Sequence, residues 1–541
     1  MGKRSRTVSG TREAVRAIPA RTEPAWAGRA AYTAIALLTG AVYVRTLYPG
    51  VEMGDSAELQ YMAPLLGICH EPGYAVEIVA GRLFSLLPIG PNIAWRVNLL
   101  MAVSGAIGCL ALYGAVRRIT GRIVGGLTAA LTLGFSSIYW TYSLVAEAYV
   151  FYGMFLLLGL YAAVRYVESG RTRWLCWTAL ALGVAVGGRP SELFVLPGFI
   201  WAWWAVRRRV RLTVRRLAVA GLAFTAPVLF SAAYIAVREN PRYLHARDDS
   251  LRDHILGVTP AIDEQPGPRH LWDSLYYSLG ILWVHQSDFS VGSIGSTIER
   301  YARLLSGRAG LGDAPPKGVV AQSGGFGTSI GLPGILLAIV GSAFCRARWG
   351  WVLLGLTFFL ANLVFILWHH PFDNLTFTVP GLSGAALLAG CGAAGPVRAT
   401  WRSPARWAFA AAGAATVVFL LLTNYRLVNR NTPESRTDLQ QSQRLTKAPF
   451  PPDSVILTTY WRGSRVRYLL YVEGGRSDVR VLFTDVKQAV RLGAPLLRAG
   501  TPTFLMLKVP EEWRLRFEPI TPPVFQEFGL LWLNPPGVKR P

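Results

Sequence analysis

Two carboxylates and a histidine lie close together in a polar stretch of an otherwise apolar sequence. Asp55 and Glu58 are three residues apart, and His70 follows them just before a Pro-Gly turn. A spacing of three places both carboxylates on the same face of a helix. A carboxylate held there can accept a proton from a hydroxyl or stabilise a developing positive charge. This stretch is therefore the candidate reactive centre of the chain.

The same spacing also has a purely structural interpretation. Asp55 as the N-cap of a helix over residues 57–66, with Glu58 at its third position, would form a capping box. The two interpretations are compatible, because the positive end of the helix dipole keeps a nearby carboxylate ionised. His70 also has a second interpretation, as an ordinary surface histidine of an exterior loop. The spacing alone leaves these alternatives open.

Further charged residues fall at predicted ends of apolar segments. Arg96 and Arg189 lie at predicted outer ends, where a guanidinium can hold a phosphate by paired hydrogen bonds or extend to the lipid headgroups. Glu147 lies near the start of a span, where an ionisable residue is a functional candidate by default or the partner of a nearby arginine. Asp373 is the last residue of a polar cluster that also contains His369 and His370. Adjacent histidines point in different directions on most backbones, so the evidence for a metal site here is weak.

The elements that carry these residues are membrane spans. The chain has 541 residues, of which 52% are hydrophobic and 16% charged, and its mean hydropathy is +0.33. Soluble proteins carry about a quarter charged residues. The apolar residues come in blocks long enough to cross a bilayer, which indicates an all-α polytopic membrane protein.

The net charge of +24 is distributed like the loops of a membrane protein. Basic residues cluster at the ends of apolar blocks, as at 117–118, 171–173, 207–209 and 346–348. Cytoplasmic loops of membrane proteins carry this excess. The pattern therefore favours a partnership with the lipid bilayer and argues against nucleic-acid binding.

The pattern predicts three regions. Residues 1–29 form a disordered basic cytoplasmic tail, and residues 30–423 form a transmembrane domain with roughly eleven helices. Within that domain, 49–93 is the first exterior loop, with two helices on the membrane surface, and 238–329 is a long exterior loop. Residues 424–541 form a small extracytoplasmic α/β domain with four strands. The chain is then an integral protein of the cell or inner membrane whose N-terminus is cytoplasmic.

Several linked motifs occur in a recognisable order. They are Gly54-Asp55-Ser56-x-Glu58, His70-x-Pro72-Gly73-Tyr74, Gly81-Arg82-Leu83-Phe84-Ser85, Trp95-Arg96-Val97-Asn98-Leu99 and Glu147-x-Tyr149. As a set they resemble the family called domain of unknown function 2723 (DUF2723), which is grouped with protein O-mannosyltransferase-like enzymes of the GT-C class. The resemblance covers most of the chain and is strongest over residues 50–150.

The resemblance implies a glycosyltransferase that uses a polyprenyl-phosphate sugar, with mannose as one candidate, and a protein or another envelope component as acceptor. It makes Asp55 the general base and Glu58 its support. The substrate-binding residues that we predict are His70, Tyr74, Arg96, Asn98, Glu147, Tyr149, Arg189 and Asp373.

Two other classes remain as alternatives. A polytopic lipid or polysaccharide transporter would use loop carboxylates to couple to ions, although such proteins tend to contain internal repeats that this sequence lacks. A non-catalytic envelope assembly protein would use the α/β domain to bind a partner. A divalent metal ion is also compatible with the carboxylate pair, but no third ligand is evident, and we predict no metal ligands.

Overall fold

The computed structural model describes most of the membrane region and nearly all of the C-terminal region. The described residues are 23–70, 72–206, 212–239, 326–344, 349–369, 378–395, 404–484 and 486–535. Most of the predicted tail (1–29) and of the predicted long exterior loop (238–329) lie outside these ranges.

Apolar helices follow one another through the first three quarters of the described chain. They are α1 (Ala25–Thr46), α2 (Gly54–Leu65), α3 (Ala75–Ser85), α4 (Ile93–Thr120), α5 (Ile123–Gly134), α6 (Ser137–Tyr142), α7 (Ala148–Ser169), α8 (Thr172–Gly188), α9 (Leu196–Val206), α10 (Val214–Glu239), α11 (Phe326–Phe344), α12 (Trp349–His369), α13 (Val379–Ala394) and α14 (Pro404–Val428).

Five helical segments of the described chain are long and apolar enough to cross a membrane. They are α1, α4, α7, α10 and the segment that contains α14, whereas α5, α13 and parts of α11 and α12 are shorter apolar helices. An apolar helix of about 20 residues matches the thickness of the hydrocarbon core. The prediction of an integral membrane protein is confirmed.

Two of the predicted spans differ in detail from the structure. The span predicted over 122–140 consists of two helices, because the backbone is extended at Ser136, whose hydroxyl donates to the carbonyl of Leu133. The span predicted over 192–206 begins with a 3-10 turn over Pro190–Val195. Proline disfavours a helical conformation in the residue before it, so α8 ends at Gly188 and Arg189 is extended.

Small residues allow the helices of the bundle to pack closely. A Cβ atom on Gly341 of α11 would lie 1.9 Å from the carbonyl oxygen of Leu388 in α13, and one on Gly390 would lie 2.3 Å from that of Gly125 in α5. Close approach of backbones is how helices associate in a bilayer, where burial of apolar surface gives no advantage over lipid.

The C-terminal region contains the four predicted strands. After α15 (Pro433–Gln443) come β1 (Val455–Thr458), α16 (Tyr460–Arg467), a π-helical turn (Tyr468–Glu473), β2 (Arg480–Phe483), α17 (Val486–Arg498), β3 (Thr503–Met506), α18 (Glu511–Phe517), α19 (Pro523–Gln526) and β4 (Leu531–Trp532). The sheet order is β2-β1-β3-β4, with β1 parallel to β2 and β3, and β4 antiparallel to β3. We call residues 433–535 the C-terminal module.

The C-terminal module packs directly on the first loop of the membrane region. One hydrophobic cluster joins Ala57 and Tyr61 of α2 to Ile456 and Tyr468 of the module. The hydroxyl of Tyr468 also accepts a hydrogen bond of 2.8 Å from the backbone N–H of Ala94, at the start of α4. Helix α2, which we predicted on the surface, is buried over most of its length. The module therefore covers the loop that carries Asp55 and Glu58.

Candidate active site

Helix α2 begins earlier than the sequence predicts. Its first residue is Gly54, with φ of 61°, and neither Asp55 nor Glu58 caps it, because Met53 occupies the N-cap without a side-chain hydrogen bond. The capping-box interpretation is therefore wrong. A Cβ atom on Gly54 would lie 2.1 Å from the ring of Trp461, so glycine lets the module approach the helix here and Asp55 sits in the first turn.

Glu58 is the buried half of the carboxylate pair. Its Oε2 lies 2.5 Å from Nδ1 of His70, and its Oε1 accepts a hydrogen bond of 3.1 Å from the backbone N–H of His70. Burial alone would raise the pKa of Glu58, but the charge and hydrogen bonds of His70, with the hydroxyl of Tyr460, outweigh it and lower that pKa. Glu58 is therefore held ionised against His70.

Tyr460 of the C-terminal module joins the two carboxylates. Its hydroxyl lies 2.9 Å from Oδ1 of Asp55 and 3.0 Å from Oε2 of Glu58. A phenol has a single hydrogen to donate, so the two acceptors share it. Burial raises the pKa of Tyr460, and the charges of Glu58 and Asp55 raise it further. Tyr460 therefore stays protonated as the donor between them.

Asp55 is the accessible half of the pair. Its side chain is 32% exposed, compared with 3% for Glu58, and its Oδ2 lies 3.9 Å from Nε2 of His70, itself 36% exposed. A substrate can therefore reach Asp55 and His70 but not Glu58. We call Asp55, Glu58, His70 and Tyr460 the carboxylate cluster.

Tyr74 borders the cluster on the side of His70. The Pro72-Gly73 turn brings it there, and its own backbone is left-handed, with φ of 47°. Its hydroxyl lies 3.4 Å from Nε2 of His70, and the two rings meet edge to face. The predicted grouping of His70 and Tyr74 with the carboxylates is therefore present in the structure.

The side chain of Asn98 makes hydrogen bonds to the protein through both its oxygen and its nitrogen. Its Oδ1 accepts hydrogen bonds from Gln60 Nε2 at 2.8 Å and from the backbone N–H of Ala146 at 2.9 Å. Its Nδ2 donates to the carbonyl oxygens of Tyr48 and Gly50. Asn98 is fully buried. It fixes the start of the first loop and the chain before α7, rather than facing the cluster as a substrate ligand.

Glu147 links the start of α7 to the start of α2. Its Oε1 accepts a hydrogen bond of 2.6 Å from the hydroxyl of Ser56, the neighbour of Asp55. Nearby, the guanidinium of Arg189 lies 4.1 Å from the ring centroid of Tyr149, a cation–π contact. The Glu147-x-Tyr149 motif and Arg189 thus meet in the region around α2, α7 and the end of α8.

Arg96, which we predicted as a substrate-binding residue, is not part of the carboxylate cluster. The guanidinium of Arg96 donates to the carbonyl oxygens of Ile89 at 2.8 Å and Ser85 at 2.9 Å, and so caps the end of α3. Asp373 lies outside the described residues.

Two buried acids near Arg189 were not predicted as site residues. Glu77 of α3 and Glu192 of the 3-10 turn are each 2% exposed, and their carboxyl oxygens make no hydrogen bond to any described residue. Burial raises the pKa of Glu77 to about 8, against the opposing charges of Arg189 and His70. A glutamate inside the apolar run from Ala75 to Ala80 was the sequence signal for this residue.

The donor set of the cluster does not match a metal centre. Across the described ranges, no three His, Cys, Asp or Glu side chains are grouped so that they could hold a metal ion. Asp55, Glu58 and His70 interact with one another and with Tyr460 instead.

Known proteins share part of this sequence. Residues 55–212 match the family model described as protein O-mannosyl-transferase TMEM260 N-terminal domain. The matched segment runs from Asp55 through Arg189, so it contains most of the predicted site residues. The resemblance to O-mannosyltransferase-like proteins that the motifs indicated is confirmed over this segment, whereas the match to domain of unknown function 2723 and its extent over most of the chain stay predictions.

Two curated relatives carry the same description. The protein O-mannosyl-transferase TMEM260 of Mus musculus is 31% identical over 195 residues, 35% of this chain and 28% of the relative. That of Dictyostelium discoideum is 29% identical over 176 residues, 30% of this chain and 22% of the relative. The chain thus matches less than a third of the length of either relative.

Two solved structures show weaker similarity. The Saccharomyces cerevisiae Pmt1-Pmt2 protein O-mannosyltransferase complex, bound to its sugar donor, has a TM-score of 0.32 at 18% identity, over 42% of this chain and 34% of that one. ArnT of Cupriavidus metallidurans, bound to undecaprenyl phosphate, has a TM-score of 0.39 at 13% identity, over 92% of this chain and 95% of that one.

Proposed function

We propose that the chain is a membrane-embedded glycosyltransferase of the GT-C type. It transfers a sugar from a polyprenyl phosphate to a hydroxyl group of a protein or another envelope acceptor. The observation that carries the proposal is the accessible carboxylate of Asp55, held beside Glu58 and His70 in the segment that matches the O-mannosyl-transferase family model. Mannose is the first donor sugar to test.

In the proposed reaction Asp55 is the general base. Its carboxylate takes the proton of the acceptor hydroxyl while the oxygen attacks the anomeric carbon of the donor sugar. The bond between that carbon and the phosphate oxygen breaks, and its electron pair leaves with the polyprenyl phosphate. The negative charge of Asp55 and Glu58 also favours the positive charge that develops on the sugar.

Asp55 and Glu58 have different roles in this proposal because their surroundings differ. Asp55 is one-third exposed and can meet a substrate, whereas Glu58 is covered and bonded to His70 and Tyr460. Ionised Glu58 keeps His70 oriented, and its hydrogen bonds hold its carboxylate beside Asp55. Glu58 therefore supports the reaction without contacting the acceptor.

Arg189 is the proposed anchor for the leaving phosphate. It is 5% exposed and stacked on Tyr149, so its guanidinium is pre-oriented. Two buried acids, Glu77 and Glu192, lie near Arg189, and burial raises the pKa of each, to about 8 and about 7. A fixed, poorly solvated cation stabilises charge on a departing phosphate more strongly than one in water.

The proposed chemistry places the first loop and the C-terminal module on the extracytoplasmic face, with the N-terminus in the cytoplasm. The basic clusters at 117–118 and 171–173 lie at the opposite ends of the helices that follow the first loop. The positive-inside rule assigns those ends to the cytoplasm.

The experiment uses the purified full chain in detergent or vesicles. It is supplied with mannose or glucose linked to polyprenyl phosphate, and both sugar transfer to hydroxyl-bearing peptides and release of free sugar are measured. We expect turnover with one of these donors and none with the matching nucleotide sugar. Binding of polyprenyl phosphates with no release or transfer from any donor would contradict the proposal and favour a transporter.

A further inference from the structure

Tyr460 is the point at which the C-terminal module enters the carboxylate cluster. It lies in the first turn of α16, directly after β1, and is 405 residues from Asp55 along the chain. Its hydroxyl lies within hydrogen-bond distance of one oxygen of each carboxylate, 2.9 Å from Asp55 and 3.0 Å from Glu58.

The module holds this tyrosine on a rigid support. The ring of Tyr460 packs edge to face against Phe483 of β2, with centroids 5.5 Å apart. The guanidinium of buried Arg467 lies 3.8 Å from the centroid of the same Phe483 ring and donates a hydrogen bond of 3.3 Å to the hydroxyl of Tyr61 in α2. Because this packing already fixes the hydroxyl of Tyr460, little conformational entropy is lost when it binds the carboxylates.

We propose that Tyr460 is a positioning residue that holds Asp55 and Glu58 in register, so that the C-terminal module completes the active site. The shared hydrogen fixes Oδ1 of Asp55 toward Glu58, which turns Oδ2 toward His70 and the accessible side of the cluster. The catalytic meaning of this contact rests on the proposed function. The contact itself is testable without any turnover.

Two consequences follow from the chemistry of this hydrogen bond. A donor that binds the charged form of a carboxylate lowers its pKa. Removing the hydroxyl should therefore raise the pH at which the carboxylates take up a proton, by about one pH unit. It should also release Asp55 from its orientation, which lowers kcat by roughly tenfold or more and leaves the donor KM nearly unchanged.

The test compares Tyr460→Phe with Tyr471→Phe in the full chain. Tyr471 lies in the same module, and its hydroxyl accepts a hydrogen bond of 3.0 Å from the backbone N–H of Val481. Tyr460→Phe keeps the ring packing and removes only the hydroxyl. The two variants thus make the same chemical change in one module, and only the first change touches the carboxylate cluster.

Two readouts separate this proposal from the proposed function. Infrared difference titration follows carboxyl protonation, with the bands assigned by Asp55→Asn and Glu58→Gln, and kinetics give kcat and the acidic limb of the pH profile. We expect both to move in Tyr460→Phe and neither in Tyr471→Phe. An unmoved titration midpoint, or a moved midpoint with unchanged kcat in an active enzyme, overturns the proposal. If the wild type transfers no sugar, a moved midpoint supports the contact while the transferase function fails.

Discussion

Glu77 offers the sharpest test of the electrostatics beside Arg189. It is 2% exposed in α3, and its carboxyl oxygens make no hydrogen bond to a described residue. Burial raises its pKa from 4.5 to about 8, and the charges of Arg189 and His70 only partly oppose this. At neutral pH the folded protein therefore keeps a proton on Glu77 that the unfolded chain releases.

The sign of the resulting pH dependence follows from proton linkage. Because the folded state binds the extra proton, the stability from this group is fully present below about pH 4.5 and is lost as the pH rises to about 8. A rise in pKa from 4.5 to about 8 corresponds to about 5 kcal/mol in the free energy of unfolding. Glu77→Gln removes this dependence because glutamine does not titrate.

The assay is thermal unfolding in detergent at a series of pH values, from about pH 5 to about pH 9. At the usual unfolding entropy per residue, about 5 kcal/mol corresponds to roughly 4 °C for a chain of this size. We expect the Tm of the wild type to fall by this amount relative to Glu77→Gln across that range. Glu512→Gln, on the exposed face of α18, should follow the wild type. A difference between wild type and Glu77→Gln that stays constant with pH would refute the reasoning.

Three further substitutions test other contacts of the site. Tyr149→Ala removes the cation–π support of Arg189 and should weaken donor binding by up to about tenfold, whereas Tyr149→Phe keeps the ring and should bind donor normally. Asn98→Ala should lower the free energy of unfolding by about 1–3 kcal/mol with an unchanged donor KM; a stable variant with a raised KM would make Asn98 a substrate ligand. Gly54→Ala places a Cβ against the ring of Trp461 at positive φ and should cost about 1–3 kcal/mol from backbone strain alone, measured as a lower Tm; wild-type stability would contradict the close packing.

The part of the site that lies in one loop could be predicted from the sequence. Asp55, Glu58, His70 and Tyr74 fall within twenty residues of polar sequence between apolar blocks, so their proximity follows from chain connectivity. The membrane region could also be predicted, because blocks of apolar residues of bilayer length have few other stable structures.

The remainder depends on contacts between distant parts of the chain. Tyr460 meets Asp55 only because the C-terminal module packs on α2, and no local pattern marks one tyrosine among 21. The helix start at Gly54 has the same origin, since the close approach of Trp461 requires glycine there. The expected capping box failed because Glu58 has stronger partners in His70 and Tyr460 than the end of its own helix.

Arginine roles were predicted from position alone, and position was not sufficient. Arg96 and Arg189 were both placed at outer span ends, yet Arg96 donates to carbonyl oxygens at the end of α3 while Arg189 stacks on Tyr149. The difference arises from Pro190, which ends α8 and leaves Arg189 extended. The position of an arginine in the sequence indicates its depth in the membrane, but it does not indicate which groups the guanidinium contacts.

The central claim is that Asp55 accepts the proton of the acceptor hydroxyl. The most direct measurement is single-turnover sugar transfer by Asp55→Asn, beside Asp453→Asn, the same change in an exposed turn of the C-terminal module. The account predicts a loss of about 10²–10⁴-fold in the transfer rate for Asp55→Asn, which is the usual contribution of a general base, and wild-type rates for Asp453→Asn. Transfer by Asp55→Asn at the wild-type rate would contradict it.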